Sequence, residues 1–338
     1  TYSPETSLRL GAIGVYFFRG KNAPVGTQLS SIKLPVNYTL NQQIKVRLSY
    51  EIFTNGNRHI FKGVAEWIQF PLLFWGIGND TPESNEEIYT TRTMTFDFSY
   101  LAKVSPVFFL GTRFIRQSSK ITEVEDDGLL IQEGLIPGNE GALTSGLGIV
   151  ARLDKRDNNF NATTGPYIQA DLLTYQSWLG SDYHFSKLRL DLRHFIPTFR
   201  NRHVLAFHLI TEHNWGDPTF ETMALLGGDQ IMRGHYLGRF RDKTMVATQV
   251  EYRFPLGRKN WIDEREKIPF WERWGMVGFI GAGNVAPSFS ELGFDHLKSS
   301  WGFGLRYAAM PKERLNIRVD FGFGTQAPGF YLNIRESF

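Results

Sequence analysis

Apolar and polar side chains alternate along most of this chain. In IKVRLSYEI, residues 44–52, the even-numbered positions are apolar and the odd-numbered ones are Lys, Arg, Ser and Glu. KLRLDLR at 187–193 and LNIRVDFGF at 315–323 repeat the pattern. Because successive side chains of a strand point to opposite faces of a sheet, the pattern predicts strands with one apolar face and one polar face.

Roughly 15 segments of this kind can be counted along the chain. They begin near Ser7, Gln28, Ile44, Ile60, Tyr89, Pro106, Ser145, Pro166, Tyr183, His203, Met245, Trp274, Trp301, Arg314 and Gly329. A closed antiparallel barrel of the bacterial kind needs an even number of strands. TYSPET at 1–6 resembles the end of a short or truncated strand followed by a tight turn, so we predict about 16 strands.

The predicted connections alternate between long and short. The long ones are predicted to be external, and the short ones, such as TNGNR at 54–58 and MPKER at 310–314, lie at the opposite rim. Long loops at one rim and short turns at the other are typical of an outer-membrane barrel. The long set comprises Phe70–Glu87, Lys120–Leu143, Trp215–Asp242 and Val285–Ser300.

One long connection, Leu256–Arg273, falls on the short-turn side. Its Trp, Lys and Arg residues would suit an amphipathic segment at the membrane interface, as a periplasmic insertion. A long solvated turn is the simpler interpretation and is favoured.

Alternation alone also fits a soluble β-sandwich or a lipocalin-like barrel. The sequence ends in YLNIRESF, where Phe330, Leu332, Ile334 and Phe338 would share one face if the strand continued to Phe338. An aromatic ring at the end of such a strand suits the interface girdle of a membrane barrel. We therefore predict an all-β protein, a single antiparallel transmembrane barrel spanning residues 1–338.

Composition excludes several classes of function. The net charge is +3 and there is no cysteine, so neither nucleic-acid binding nor a thiolate site is predicted. No apolar run reaches the roughly 18 residues of a transmembrane helix. No nucleotide-binding, hydrolase or metalloprotease motif is present, so we predict no enzyme activity, no cofactor and no metal site.

The segment LLGGDQIMRGHYLGRFRDK, residues 225–243, is too long for a hairpin turn. Gly234 follows Arg233 and would let the backbone turn tightly and approach a wall. An arginine folded into a partly dehydrated lumen needs a carboxylate. On the next strand Gln249, Glu251 and Arg253 would face inward, so Glu251 is the candidate partner of Arg233.

These residues resemble the outer-membrane insertase and translocator barrels typified by BamA and TamA, which include the two-partner secretion transporters. LGG, MRGHY, GRFRDK and QVEYRFPL are similar to the sixth extracellular loop of that family and the strand after it. Met232 stands for the usual Val of the loop tip and His235 for the usual aromatic residue. The resemblance implies a loop locked in the lumen at residues 215–242, through Met232, Arg233, Gly234, His235 and Glu251, with support from Gly227, Gly228, Arg239, Arg241 and Asp242.

Two departures from the family pattern bear on function. The family usually carries an aspartate on the following strand that pairs with the loop arginine, and FIGAG at 279–283 has Gly281 there. The lock is therefore expected to rest on Glu251 or to be rearranged. The family's POTRA domains, which receive client polypeptides by strand addition, are expected to be missing ahead of Thr1, as in a POTRA-less member or an excised barrel.

The resemblance implies that a barrel of the bacterial outer membrane inserts or translocates polypeptides, or lipids, through a lateral seam between its first and last strands. Thr6, Leu332, Ile334 and Phe338 are the candidate seam residues. The partners implied are outer-membrane lipids, unfolded client polypeptides and periplasmic factors, and homo-oligomers formed through lipid-facing aromatic residues are left open. The alternative is a passive or plugged pore on the same scaffold, since fold does not transmit function.

Overall fold

A computed structural model describes residues 2–3, 7–39, 43–131, 136–199, 202–257, 268–326 and 328–338. Within these residues, sixteen strands form one antiparallel sheet in chain order, and two short strands, β12 and β13, form a separate hairpin. The strands are β1 Tyr2–Ser3, β2 Ser7–Phe18, β3 Ser30–Thr39, β4 Ile44–Thr54, β5 His59–Phe74, β6 Glu87–Lys103, β7 Phe108–Glu123, β8 Gly141–Asp154, β9 Gly165–Tyr175, β10 Phe185–Thr198, β11 His203–Gly216, β12 Ala224–Leu226, β13 Phe240–Asp242, β14 Thr244–Pro255, β15 Trp274–Ala286, β16 Lys298–Met310, β17 Leu315–Phe323 and β18 Gly329–Ile334.

The predicted strands are confirmed. Each of the fifteen segments counted in the sequence begins within four residues of an observed strand. The strand expected before Ser7 is β1, which pairs with β2 through Tyr2↔Leu8 and Ser3↔Ser7. Alternation located the strands well because each presents one face to the lumen and one to the outside.

Helical structure in the described chain is confined to single 3-10 turns. They are Glu83–Asn85, Ser177–Leu179, Phe270–Glu272, Phe289–Glu291 and Pro311–Glu313. Among the described residues, none of these is long and apolar enough to cross a membrane.

The distribution of charge decides between the soluble and the membrane interpretations. Large apolar side chains such as Ile149, Ile280 and Leu332 are exposed on the outside of the sheet. Charged side chains such as Arg318 and Asp320 are buried in the lumen. A soluble barrel of the lipocalin kind has the opposite arrangement, so the structure favours an apolar surrounding for the outer face.

The connections between strands define two rims. The short-turn rim holds the connections after β2, β4, β6, β8, β10, β14 and β16, and the long-loop rim holds the others. The Leu256–Arg273 connection lies on the short-turn rim, where Phe270 packs against Trp274 and Tyr307. Residues 258–267 of that predicted insertion lie outside the described residues.

The end of the sequence corrects one prediction. Phe338 does not share the outward face of Phe330 and Leu332, because the chain leaves β18 at Ile334 and turns into the lumen at Arg335, whose φ is +87°. Phe338 is buried there against Phe195. Its assignment to the outer seam was therefore wrong, because strand alternation was extended past the end of the strand.

Candidate functional site: the lumen loop and its anchor

The loop between β11 and β14 is a hairpin folded over on itself. Its stem is β12 paired with β13, with Ala224 opposite Asp242 and Leu226 opposite Phe240. The tip closes through a hydrogen bond from Gly228 N to His235 O of 3.1 Å. A loop of this length needs such internal packing to hold one conformation.

Arg233, at the tip, is fully buried among carboxylates. Its guanidinium donates to Glu251, the candidate partner, and to Asp320 Oδ2 at 2.5 Å. The guanidinium carbon also lies 3.5 Å from the centre of the Phe279 ring. An unpaired charge at this depth would be costly, and two carboxylates with a ring face satisfy it.

The two carboxylates belong to a larger buried network. Asp320 also accepts from Arg306 Nη1 at 2.5 Å and from Arg318 Nη1 at 2.6 Å. Glu251 accepts from Arg253 Nε at 2.8 Å. We call Arg233, Glu251, Arg253, Arg306, Arg318 and Asp320 the anchor cluster.

The loop tip is pressed against the last two strands of the sheet. Gly234 has φ +107°, and a Cβ placed there would lie 2.4 Å from the carbonyl carbon of Phe323. Gly234 N donates to the hydroxyl of Tyr331 on β18 at 2.9 Å. Asp229 accepts from Asn333 Nδ2 at 2.6 Å. The tip therefore contacts both β17 and β18.

Gly281 and Met232 fit together on the other side of the tip. A Cβ at Gly281 would lie 3.3 Å from Met232 Sδ and 2.9 Å from Ser300 Oγ. An aspartate there would be crowded by this packing. In this structure the second carboxylate on Arg233 comes from Asp320 on β17, and position 281 on β15 contributes none.

His235 completes the tip contacts. Its Nε2 lies 2.8 Å from the carbonyl oxygen of Ser299, to which it can donate in the neutral form. Burial lowers the pKa of His235, although the hydrogen bond to Ser299 partly opposes this. Both the burial and the contact with Ser299 are consistent with Nε2 as a hydrogen-bond donor.

The other two loop arginines hold the base of the hairpin. Arg239 donates to the side chain and main chain of Thr81 at 2.8 and 2.7 Å, and lies over the Trp75 ring. Arg241 Nη2 donates to Gly238 O at 3.0 Å, and its guanidinium lies over the Phe74 ring. Within the described part of the chain, both arginines thus use carbonyl or hydroxyl oxygens and rings as partners, and neither forms an ion pair with a carboxylate.

Three more of the predicted support residues act locally. Gly227 and Gly228 have φ of +113° and +112°, which few side-chain-bearing residues adopt. A Cβ at Gly227 would also lie 2.2 Å from Tyr236 O. Asp242 Oδ1 accepts from the backbone of Lys243 at 2.7 Å and makes no contact with the anchor cluster.

The segment Arg335–Phe338, which we call the inward tail, reaches the anchor cluster from the short-turn side of the barrel. Glu336 Oε2 accepts from Arg306 Nε at 2.6 Å, and Ser337 Oγ donates to Glu251 Oε1 at 2.6 Å. The main-chain oxygen of Phe338 accepts from Arg253 at 3.2 Å. The loop and the inward tail are thus tied to the same buried charges.

Replacing Gly234 with Ala should loosen the loop tip. The added methyl group meets backbone atoms of β17 that cannot move aside, and the positive φ strains it further, at a cost of about 1–3 kcal/mol. We expect trypsin to cut the folded barrel at Arg233, Arg239 or Arg241 about tenfold faster than in the wild type. Gly278→Ala is the control, since a Cβ there has no atom within 4 Å. Equal cleavage rates in the two variants would contradict the close contact.

Comparisons with known proteins show to which family the chain belongs. Residues 18–338 match the family model described as the Omp85 superfamily domain. The chain belongs to the Omp85 superfamily. The predicted resemblance is thereby confirmed, and this Omp85 barrel is a protein of the outer membrane.

Two solved structures share the fold of this Omp85 barrel. BamA from Haemophilus ducreyi lacking POTRA domains 1–3 matches with a TM-score of 0.57 and 12% identity, over 97% of this chain and 70% of that one. CdiB from Acinetobacter baumannii matches with a TM-score of 0.53 and 13% identity, over 90% of this chain and 52% of that one. A search of the curated proteins found no match to the sequence.

Proposed function

We propose that this Omp85 barrel inserts or translocates polypeptides, or lipids, through lateral opening of a seam between its first strands and β18, without a catalytic step. The observation that carries the proposal is the missing backbone pairing between the two sides of this seam in the described part of the chain. Among the described residues, no strand pair joins β18 to β1 or β2.

In the part of the chain that the structure describes, side-chain contacts connect the two sides of this seam. On the short-turn rim, Ile334 packs in a cluster with Phe17. Arg335 Nη2 donates to Ser31 Oγ at 2.6 Å, and its Nη1 lies 3.3 Å from Glu51 Oε2. Of the candidate seam residues, Leu332 is exposed on the outer face and Ile334 lies at this contact. Thr6 lies outside the described residues.

A strand edge with unpaired backbone groups is costly in hydrocarbon and is a template for strand addition. A client segment that pairs with the edge of β18 would satisfy those groups by β-augmentation. Side-chain contacts at the rim can hold the seam closed when no client is bound. They can also separate without the loss of a long backbone ladder.

Closing the seam covalently should abolish the activity. We would introduce Phe17→Cys with Ile334→Cys, in a chain that has no other cysteine. The oxidised protein, reconstituted in liposomes, should lose the assembly of an added unfolded outer-membrane protein and regain it on reduction. The matched control is Ile149→Cys with Leu172→Cys, which joins register partners of β8 and β9 away from the seam.

Full activity with the seam efficiently cross-linked would overturn lateral opening. The second candidate function, a plugged pore, would then stand. It is supported by the lumen loop and the inward tail, which both lie inside the barrel and share buried partners.

A further inference from the structure

We propose that the lumen holds a binding site for a soluble multivalent oxyanion, such as a phosphate ester or a polycarboxylate, centred on Arg152. The site is a cavity of about 200 Å³ inside the sheet. Asn57, Pro106 and Asn159 of the short-turn rim line it, so it reaches that end of the lumen. The inference is independent of lateral opening.

The cavity has a large excess of positive charge. Among the described residues, two acidic side chains, Glu51 and Asp154, line it. Six basic side chains line it: Lys62, Lys103, Arg152, Arg156, Arg193 and Arg335. An anion would therefore be attracted here even before any specific contact is made.

Most of these basic groups already have carboxylate partners. Glu51 pairs with Lys62 at 2.8 Å and with Arg335 at 3.3 Å. Asp154 pairs with Arg156 at 2.7 Å. Arg193 is neutralised by Asp191 from the neighbouring cavity at 2.5 Å. The positive charge that remains unpaired in the cavity therefore belongs to the basic groups that these carboxylates do not contact.

Arg152 is the buried exception. Arg152 is 3% exposed and forms no ion pair with a described carboxylate, although Glu51 and Asp154 lie close enough to interact with its charge. Its Nη2 is buried without a hydrogen-bond partner among the described residues. Burying a guanidinium nitrogen that has no acceptor is expensive, so the arrangement suits an anion that supplies the missing oxygens.

The Arg152 fork is held in position by its neighbours. Its Nε donates to Gln169 Oε1 at 2.9 Å, and the same oxygen accepts from the hydroxyl of Tyr167 at 2.7 Å. The Tyr167 ring lies beside the guanidinium groups of Arg152, Arg156 and Arg193, at 5.7, 4.3 and 4.9 Å. A fixed fork loses little freedom on binding, and arginine forks match phosphate and carboxylate oxygens in two-point contacts.

A soluble ligand fits this place better than a lipid headgroup. The walls are polar or charged on most sides, and the outer apolar face lies across the sheet. Lys103, on the rim and without a described carboxylate partner, would meet an anion that enters from the aqueous side.

The test is calorimetric titration of inorganic pyrophosphate, and separately of citrate, into the folded barrel in a nonionic detergent. We expect saturable binding of at least one of them at a single site, weakening as salt is added. Arg152→Gln should weaken it by at least about tenfold, and Arg152→Lys, which keeps the charge but loses the fork, by less. The control is Arg47→Gln, a half-exposed residue that lines the neighbouring cavity, where we expect less than about twofold change.

Two results would overturn the site. One is the absence of saturable binding of either anion to the wild type. The other is an equal loss in Arg152→Gln and Arg47→Gln, which would mean a diffuse field and not a site. If Arg152→Gln does not fold, as judged by heat-modifiable migration, the rim variant Lys103→Gln decides, with an expected weakening of about threefold. If the single variants Lys103→Gln and Arg152→Lys both fold and both bind with unchanged affinity, the proposed site is also overturned.

Discussion

Asp320→Asn should be among the most damaging single substitutions in the lumen. Asp320 is fully buried and is the shared partner of Arg233, Arg306 and Arg318. The amide removes the one negative charge that these three guanidinium groups share, at a position that is buried from solvent. Removing one partner of a buried ion pair typically costs about 3–5 kcal/mol. We expect a loss of that size in the free energy of unfolding, measured by urea titration of the refolded barrel in detergent micelles.

The control for this variant is Asp217→Asn. That carboxylate lies 3.5 Å from Lys243, and its side chain is 86% exposed, so the same change of charge should alter the free energy of unfolding very little. Similar stability of the two variants would mean that the anchor cluster does not depend on the charge of Asp320.

Arg233→Ala should release the lumen loop while keeping the barrel. Glu251 retains Arg253, and Asp320 retains Arg306 and Arg318, so no carboxylate is left alone. The expected loss of stability is about 1.5–3 kcal/mol, less than for Asp320→Asn. The loop loses its deepest contact, so we expect unchanged β-structure by circular dichroism but a severalfold rise in single-channel conductance in planar bilayers.

Arg92→Ala is the matched control, because this arginine is exposed on β6. It should leave the conductance at the wild-type value. If Arg233→Ala also leaves both the conductance and the heat-modifiability unchanged, Arg233 does not hold the loop in place. A constant open conductance already present in the wild type would favour the passive pore over the lateral seam.

The strands could be predicted from the sequence because each carries its own signal. The alternation in LNIRVDFGF places Arg318 and Asp320 on the lumen face without reference to any other strand. The path of the inward tail had no such signal. Nothing in IRESF marks Arg335 as the residue where φ becomes positive, and partners on distant strands hold the turn.

The anchor cluster was predictable only where its members are close in the sequence. Glu251 lies eighteen residues after Arg233, on the strand that follows the loop, and its inward position was evident. Asp320 is eighty-seven residues away and was missed, although its place on a polar strand face was known. To predict Asp320 as the partner, one would have to know that the loop tip crosses β17. No local sequence pattern specifies that crossing.

The shared partners of the loop tip and β18 have a thermodynamic consequence. Tyr331 and Asn333 of β18 bind the tip directly, and the inward tail shares Glu251 with Arg233. If β18 moves when the seam opens, as proposed, that movement must also weaken the seat of the loop. Coupling of this kind is reciprocal, so whatever stabilises the seated loop disfavours the open seam by the same factor. The seated loop would then act as an inhibitor of seam opening, bound from inside.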